Sequence, residues 1–443
     1  RDGGAHWSKV TPPGAPQWAR VFKVGVSPFA AGTAYVAFDN HEMDDRKPYV
    51  YATDDYGKSW RSIGKGLPDE AAVVVREDPN HKGLLVLGNM TGLWYSRDSG
   101  AHWQPFGAGF PTAPVFDLKF DHQALIVGTH GLGVLVLDNL RPWEEMDGQI
   151  AQQAFHLFSA APGTQYSNAA RRTRQDVLID YYLKDALQPT AADKAARRTP
   201  VRIVVSNGDG EVVDTRYGPA KAGVNEFRWN MSYAPATPLA GAAVGDFGPR
   251  SGPAVLPGTY KVAVTVNGQT QDTTVTVHGD PNLDVPPAVA QANLAFNLQA
   301  RDQLSAFHVM LNRLAQMHTS LDAFVQSTTT HGDAPNRYAA LTAQARQLDE
   351  QLTAFRDSMY NPQIQRDAGD SVHFPGRLNR DLNSLGNANF TRPPDATELA
   401  TAATAKAELE RRLAQFNDLL AGDVARYNQA AQDVGAPTLM TGK

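Results

Sequence analysis

The 443-residue sequence contains no cysteine. That excludes disulfides and thiolate nucleophiles, and it limits any metal site to His, Asp and Glu. Absence of cysteine is compatible with an exported bacterial protein. No apolar run approaches the roughly 18 residues of a membrane helix, and no signal-peptide pattern is visible. Basic residues are slightly outnumbered, 41 Lys and Arg against 46 Asp and Glu, and they do not cluster. Nothing therefore points to a nucleic acid or an anionic membrane as partner. The Gly-x-Ser-x-Gly elbow, the His-Glu-x-x-His pair and the phosphate loop are also missing.

What the chain does have is a repeat. Thr53 to Trp60 reads TDDYGKSW, Ser96 to Trp103 reads SRDSGAHW, and the chain opens on RDGGAHW. The shared pattern is Ser/Thr-x-Asp-x-Gly-x-(Ser/Thr/His)-Trp, clipped by one position in the first copy. Trp7, Trp60 and Trp103 stand 53 and 43 residues apart. A self-similar unit at that period points to an array of small β-sheets, as in a propeller. Each copy reads as a hairpin turn. The Asp (Asp2, Asp55, Asp98) accepts from backbone N–H groups of its own turn. The Gly (Gly4, Gly57, Gly100) supplies positive φ. The Trp (Trp7, Trp60, Trp103) opens the next strand and wedges between sheets. Thr53 and Ser96 begin the two complete copies.

These octads resemble the Asp-box of BNR-repeat propellers, a group that includes sialidases, xyloglucanase-type hydrolases and sortilin-type receptors. The resemblance implies that the octad residues are architectural and lie away from a substrate face. It extends along the chain through GTHGLGVLVLDNL at Gly128–Leu140, PGTYKVAV at Pro257–Val264 and FPGRLNRDL at Phe374–Leu382. That order is similar to large exported bacterial proteins labelled glycosyl hydrolase or sortilin-like BNR-repeat protein. The sialidase signature, with its Phe-Arg-Ile-Pro-type segment, does not occur in this sequence.

Three domains are expected, β first and α last. Residues 1–140 read as the last blades of a β-propeller. Strands are expected at Val21–Val26, Thr33–Phe38, Tyr49–Thr53 and Trp60–Ile63. The next set is Ala72–Arg76, Leu84–Gly88, Leu93–Ser96 and Trp103–Phe106. A third set, Val115–Phe120, Leu125–Gly128 and Val134–Leu137, lacks an octad and a fourth strand. The propeller is thus expected to be incomplete, its remainder lying upstream on a longer chain or on a second polypeptide. Any signal peptide would lie on that upstream part, and the protein is expected to be exported, to the periplasm or beyond.

Residues 141–280 read as a connector, marked by Pro142 and Trp143, followed by an immunoglobulin-like β-sandwich. Its signals are short strands and the turns Asn207-Gly208-Asp209-Gly210 and Asn267-Gly268. Gln188–Pro200 and Ala234–Pro253 read as loops. Residues 281–443 read as a helical bundle. Apolar stripes at helical spacing run through Leu304–Val325, Tyr338–Met359 and Leu409–Tyr427. A short helix is expected between the second and third, and the third is expected to begin near Asp395.

Candidate chemistry is sparse. His41, Glu42, Asp44 and Asp45 offer three carboxylates and an imidazole in one connection. They suit Ca²⁺ or another hard cation, or form a solvated loop held by its own ion pairs. Asp117 sits in an innermost strand, where propellers bind ligands, and Asp39 and Glu77 are further channel-edge carboxylates. Glycoside hydrolysis needs two such groups, roughly 5–5.5 Å apart for retention and 6.5–9.5 Å for inversion. No partner for Asp117 can be placed from sequence. Two readings follow. The favoured one is a secreted binding or scaffold protein that recognises a glycan or peptide as part of a larger chain or complex. The alternative is a glycoside hydrolase whose carboxylates are shared with missing blades.

Overall fold

The structure is a computed structural model that describes residues 3–107, 110–166, 176–241, 251–329, 337–360, 378–385 and 392–440. Asp2 and the first part of the Phe374–Leu382 segment lie outside the described residues. The chain forms two compact units, Arg1–Gln152 and Gln153–Lys443.

Three antiparallel sheets follow one another through the first unit. The first joins β1 (Val24–Val26), β2 (Ala34–Phe38), β3 (Tyr49–Thr53) and β4 (Arg61–Ser62) in that order. The second joins β5 (Ala72–Glu77), β6 (Leu85–Asn89), β7 (Leu93–Ser96) and β8 (Gln104–Pro105). The third has β9 (Val115–Asp121), β10 (Ala124–Thr129) and β11 (Val134–Leu137), with β10 in the middle. The first strand is shorter than Val21–Val26, because Arg20 pairs with Asp39 alone before the ladder resumes at Val24.

Strand alternation explains how the sheets pack. Val75, Leu85 and Leu87 of the second sheet share a core with Tyr35, Ala37, Val50 and Ala52 of the first. Val74 and Val86, pointing the other way, share a core with Val115, Leu118, Leu125 and Val127 of the third. The second sheet is therefore buried on both faces, and its strands read as near-continuous apolar runs. After β11 the short helix α1 (Arg141–Glu145) forms, with Pro142 in its first turn.

The second unit is β-rich and then helical. One sheet orders β12 (Phe155–Leu157), β14 (Val177–Leu183) and β17 (Gly223–Trp229). The other orders β13 (Gly163–Thr164), β19 (Gln269–His278), β18 (Gly258–Val266), β15 (Val201–Ser206) and β16 (Val212–Gly218). Pairing is antiparallel except between β13 and β19. Val177, Ile179, Tyr181 and Leu183 meet Val201, Ile203, Val262 and Val264 in one core, so the two sheets close on each other. The β18–β19 hairpin turns at Asn267 and Gly268, both with positive φ, as a two-residue I′ turn requires.

Among the described residues five helices follow the sheets: α3 (Pro287–Thr329), α4 (Ala339–Asp357), α5 (Leu378–Leu385), α6 (Ala396–Leu419) and α7 (Ala425–Asp433). Their core draws on Leu304, Phe307, Leu311, Leu348, Leu409 and Tyr427 among others. Asp395 caps α6 in a capping box with Glu398. A π-turn at Leu420–Val424 joins α6 to α7.

Gln188–Pro200 and the first part of Ala234–Pro253 are more ordered than their composition implies; residues 242–250 lie outside the described residues. Gln188–Pro200 contains a one-turn helix, α2 (Ala191–Ala195), started by a Thr190–Asp193 capping box. Residues 234–241 lie along α3. There Ser305 Oγ accepts from Thr237 N, Asn312 accepts from Ala240 N, and Arg301 donates to Ala234 O. An Ala/Pro-rich segment has few side-chain signals of its own, and here polar groups on the helix fix its backbone.

Candidate functional site

The two complete octads fold into the same turn. Gly57 N donates to Thr53 Oγ1 at 2.9 Å, and Thr53 Oγ1 donates to Asp55 at 2.9 Å. Asp55 also accepts from Ser59 N and Ser59 Oγ. In the second copy Gly100 N donates to Ser96 Oγ, Ser96 Oγ to Asp98, and His102 N to Asp98. The Ser59 N–H and hydroxyl lower the Asp55 carboxyl to about 2. Burial works against the charge on Asp98, but the His102 ring and N–H and the Ser96 hydroxyl outweigh it and also bring it to about 2.

Each turn also grips the preceding unit at an equivalent position. Trp60 Nε1 donates to Val10 O at 2.8 Å, and Trp103 Nε1 donates to Ile63 O at 2.6 Å. Val10 and Ile63 are each the third residue after the preceding octad tryptophan. A Cβ on Gly57 would stand 2.9 Å from Val10 Cβ, and one on Gly100 would stand 2.8 Å from Ile63 Cβ. Both glycines have positive φ, so glycine is required twice over. In the clipped copy Gly3 and Gly4 also have positive φ, but Trp7 donates only to Gly4 O and is 89 % exposed. The third residue after Trp103 is Phe106. No octad follows it, and the ring of Trp143 from α1 packs on it with centroids 5.1 Å apart.

Asp117, on β9, does not stand alone. Lys23, just ahead of β1, donates to its Oδ2, and Arg76 of β5 lies 3.9 Å from its Oδ1. Burial lowers the Arg76 pKa and Asp117 raises it in partial compensation. The three residues come from the first strands, or their approaches, of three successive sheets. The residues next to Lys23 and Asp117 in sequence form an aromatic strip: Phe22 meets Phe116 edge-on, Phe116 meets the His130 ring, and Arg20 stacks over Phe22 while bonding Glu42 at 2.9 Å.

Asp39 and Glu77 lie elsewhere. Asp39 is buried and accepts from both His41 N and His41 Nδ1. Glu77 is buried and accepts from Gly83 N at 2.7 Å. Burial and the neighbouring Glu77 carboxylate together push the Tyr35 phenol well above its ordinary range. The three candidate carboxylates are thus engaged by three different sets of neighbours.

The His41 connection forms a single 3-10 turn, His41–Met43, ended by Asp44 in the left-handed region. His41 is turned to Asp39 and Glu42 to Arg20. Asp45 accepts from Tyr49 Oη and Asn40 Nδ2, and the Tyr49 bond chiefly lowers its carboxyl. Among the described residues, one group of three side chains brings its ligand atoms within 4.8 Å of one another: Asp78, His81 and Glu144. Burial raises the Glu144 carboxyl, the Asn80 bond lowers it, and the neighbouring Asp78 raises it further. Sequence reading missed this group because Glu144 is more than sixty residues from the other two. The local signal was an Asp and a His three apart in the Asp78-Pro79-Asn80-His81 turn.

No family model and no curated relative matches the chain. Solved structures similar to it include a GH74 enzyme of Niastella koreensis, at 13 % identity and a TM-score of 0.23, covering 58 % of this chain and 46 % of that one. The GH74 xyloglucanase of Xanthomonas campestris is similar at 13 % identity and 0.22, covering 63 % and 40 %. YCF48 bound to D1 peptide is similar at 13 % identity and 0.23, covering 62 % and 73 %. The chain spans less than half the length of the two GH74 enzymes. At these scores the likenesses carry no argument about fold or chemistry. Among the described residues no helix is long and apolar enough to cross a membrane.

Proposed function

We propose that the chain is a secreted binding and scaffold protein built on an Asp-box propeller. Residues 1–140 supply its last blades, residues 141–280 a connector and an immunoglobulin-like sandwich, and residues 281–443 a helical bundle. The repeated grip of one octad turn on the preceding unit supports the propeller reading. The missing blades come from an upstream segment or a second polypeptide. The octad residues Thr53, Asp55, Gly57 and Trp60, with Ser96, Asp98, Gly100 and Trp103, are fasteners.

The binding face is the strip around Asp117, and its ligand is a glycan or peptide carrying a carboxylate. One observation carries this reading: Asp117 is held by Lys23 and Arg76, so the strip presents cations and aromatic edges rather than a free carboxylate. Cations beside ring faces and edges suit an anionic group on an otherwise flat ligand. Hydrolysis would need a second carboxylate roughly 5–9.5 Å across the scissile bond. Asp39 and Glu77 are buried against other partners, so a hydrolase would have to draw that group from upstream blades.

Calorimetric titration of the chain with acidic oligosaccharides and acidic peptides tests this, with reducing-sugar release followed in parallel. Lys23→Ala/Arg76→Ala is expected to weaken binding about tenfold, the loss of roughly 1.4 kcal/mol, with no sugar released by the parent. Sugar release that disappears in Asp117→Asn would replace the binding reading with the hydrolase one.

A further inference from the structure

We propose that Asp78, His81 and Glu144 form a site for a divalent transition-metal ion of the Zn²⁺ class, clasping the β5–β6 connection to α1. It shares no residue with the His41 connection or the Asp117 strip.

The ligand set is two carboxylates and one imidazole, which suits a borderline divalent ion. Asp78 is fully buried and Glu144 nearly so, while His81 is half-buried. Asp78 Oδ1 already accepts from Asn80 N at 2.7 Å and His81 N at 3.2 Å. Its Oδ2 is buried and has no partner. His81 Nδ1 is likewise buried without a hydrogen bond. That nitrogen stands 3.8 Å from Asp78 Oδ1 and 3.9 Å from Glu144 Oε1. Such gaps are too long for a hydrogen bond and about half an ångström wider than the roughly 3.4 Å between two ligands bonded at about 2 Å in a tetrahedral site. The half-buried His81 ring would therefore close in slightly, and the open Asp78 Oδ2 would serve as the ligand atom.

Charge points the same way. Two adjacent buried carboxylates are costly unless a cation compensates them or one of them keeps its proton. The nearby guanidinium of Arg97 is spent on backbone, donating to Trp143 O and Glu144 O. A divalent ion would neutralise the pair. Asn80 supports the site from outside, its Nδ2 donating to Glu144 Oε1 at 3.2 Å and its N–H to Asp78, as groups behind metal ligands do. Glu144 belongs to α1, the helix that also presents Trp143 to Phe106. The ion would therefore fix this helix against the second sheet.

The test uses the full 443-residue chain, stripped with a chelator and titrated with Zn²⁺. Calorimetry and metal analysis after dialysis should give one tightly held ion per chain, and Zn²⁺ should raise the thermal unfolding midpoint of the first unit. His81→Ala and Glu144→Gln should each weaken the affinity at least about a hundredfold, beyond what an outer residue costs, and abolish the midpoint shift. His41→Ala should change neither. His81 is half-exposed, so its variant is expected to fold, whereas Asp78 also holds two backbone N–H groups. A folded chain that takes up no Zn²⁺, or His81→Ala and Glu144→Gln variants that bind as tightly as the parent, would overturn the site.

Discussion

In the second sheet, β6 runs from Leu85 to Asn89 with every residue buried; in the third, β11 runs from Val134 to Leu137 with three of its four residues exposed. β11 is all Val and Leu while β6 ends in Gly88 and Asn89, so propensity and apolarity would favour the strand that is exposed. Neighbours decide instead. β6 has a strand on each side and a sheet against each face. β11 pairs with β10 alone among the described residues. An exposed, apolar, unpaired strand edge is a template for another strand, which is the physical basis for expecting one from an upstream segment or second polypeptide.

The octad tryptophans sharpen that comparison most. Trp103 is buried and its indole bonds Ile63 O, whereas Trp7 is mostly exposed. Trp103→Ala should destabilise the first unit by about 3–5 kcal/mol, the range for emptying a large aromatic site. Trp7→Ala should change it by less than about 0.5 kcal/mol. Urea unfolding of the two variants measures the difference. Equal costs would show that the octad stabilises its own turn and not the junction between sheets.

A smaller effect is expected from acid. The folded Asp98 carboxyl lies at about 2 against an ordinary 3.8. A lowered folded pKa stabilises above the unfolded value, and the contribution is lost as pH falls from about 3.8 through about 2. Screening at this half-exposed position holds the loss to about 1 kcal/mol. Unfolding curves between pH 5 and pH 2 should show that slope in the parent and a flatter one in Asp98→Asn. Asp55, set in the equivalent turn and lowered to about 2, should behave in the same direction.

Much of the fold was legible because the signals were local. Octad turns at Thr53–Trp60 and Ser96–Trp103, alternating strands such as Tyr49–Thr53, the Asn267-Gly268 hairpin and the start of α6 at Asp395 all depend on neighbours in sequence. What was not legible depends on distant residues. Lys23 and Arg76 reach Asp117 only because the first strands of three sheets lie side by side. Glu144 reaches Asp78 only because α1 folds back on the second sheet. Residues 234–241 are ordered by Ser305 and Asn312 of α3, which no turn rule applied to that segment would reveal.

Hydrogen exchange read residue by residue in the 443-residue chain tests the open third sheet most directly. The outward-facing amides of Val134–Leu137 should exchange far faster than those of Leu85–Asn89, and should become protected when an upstream segment or partner strand is present. Equal protection of the two strands in the monomeric chain would mean that β11 is already paired, and would contradict the expectation that a further strand is needed to complete this sheet.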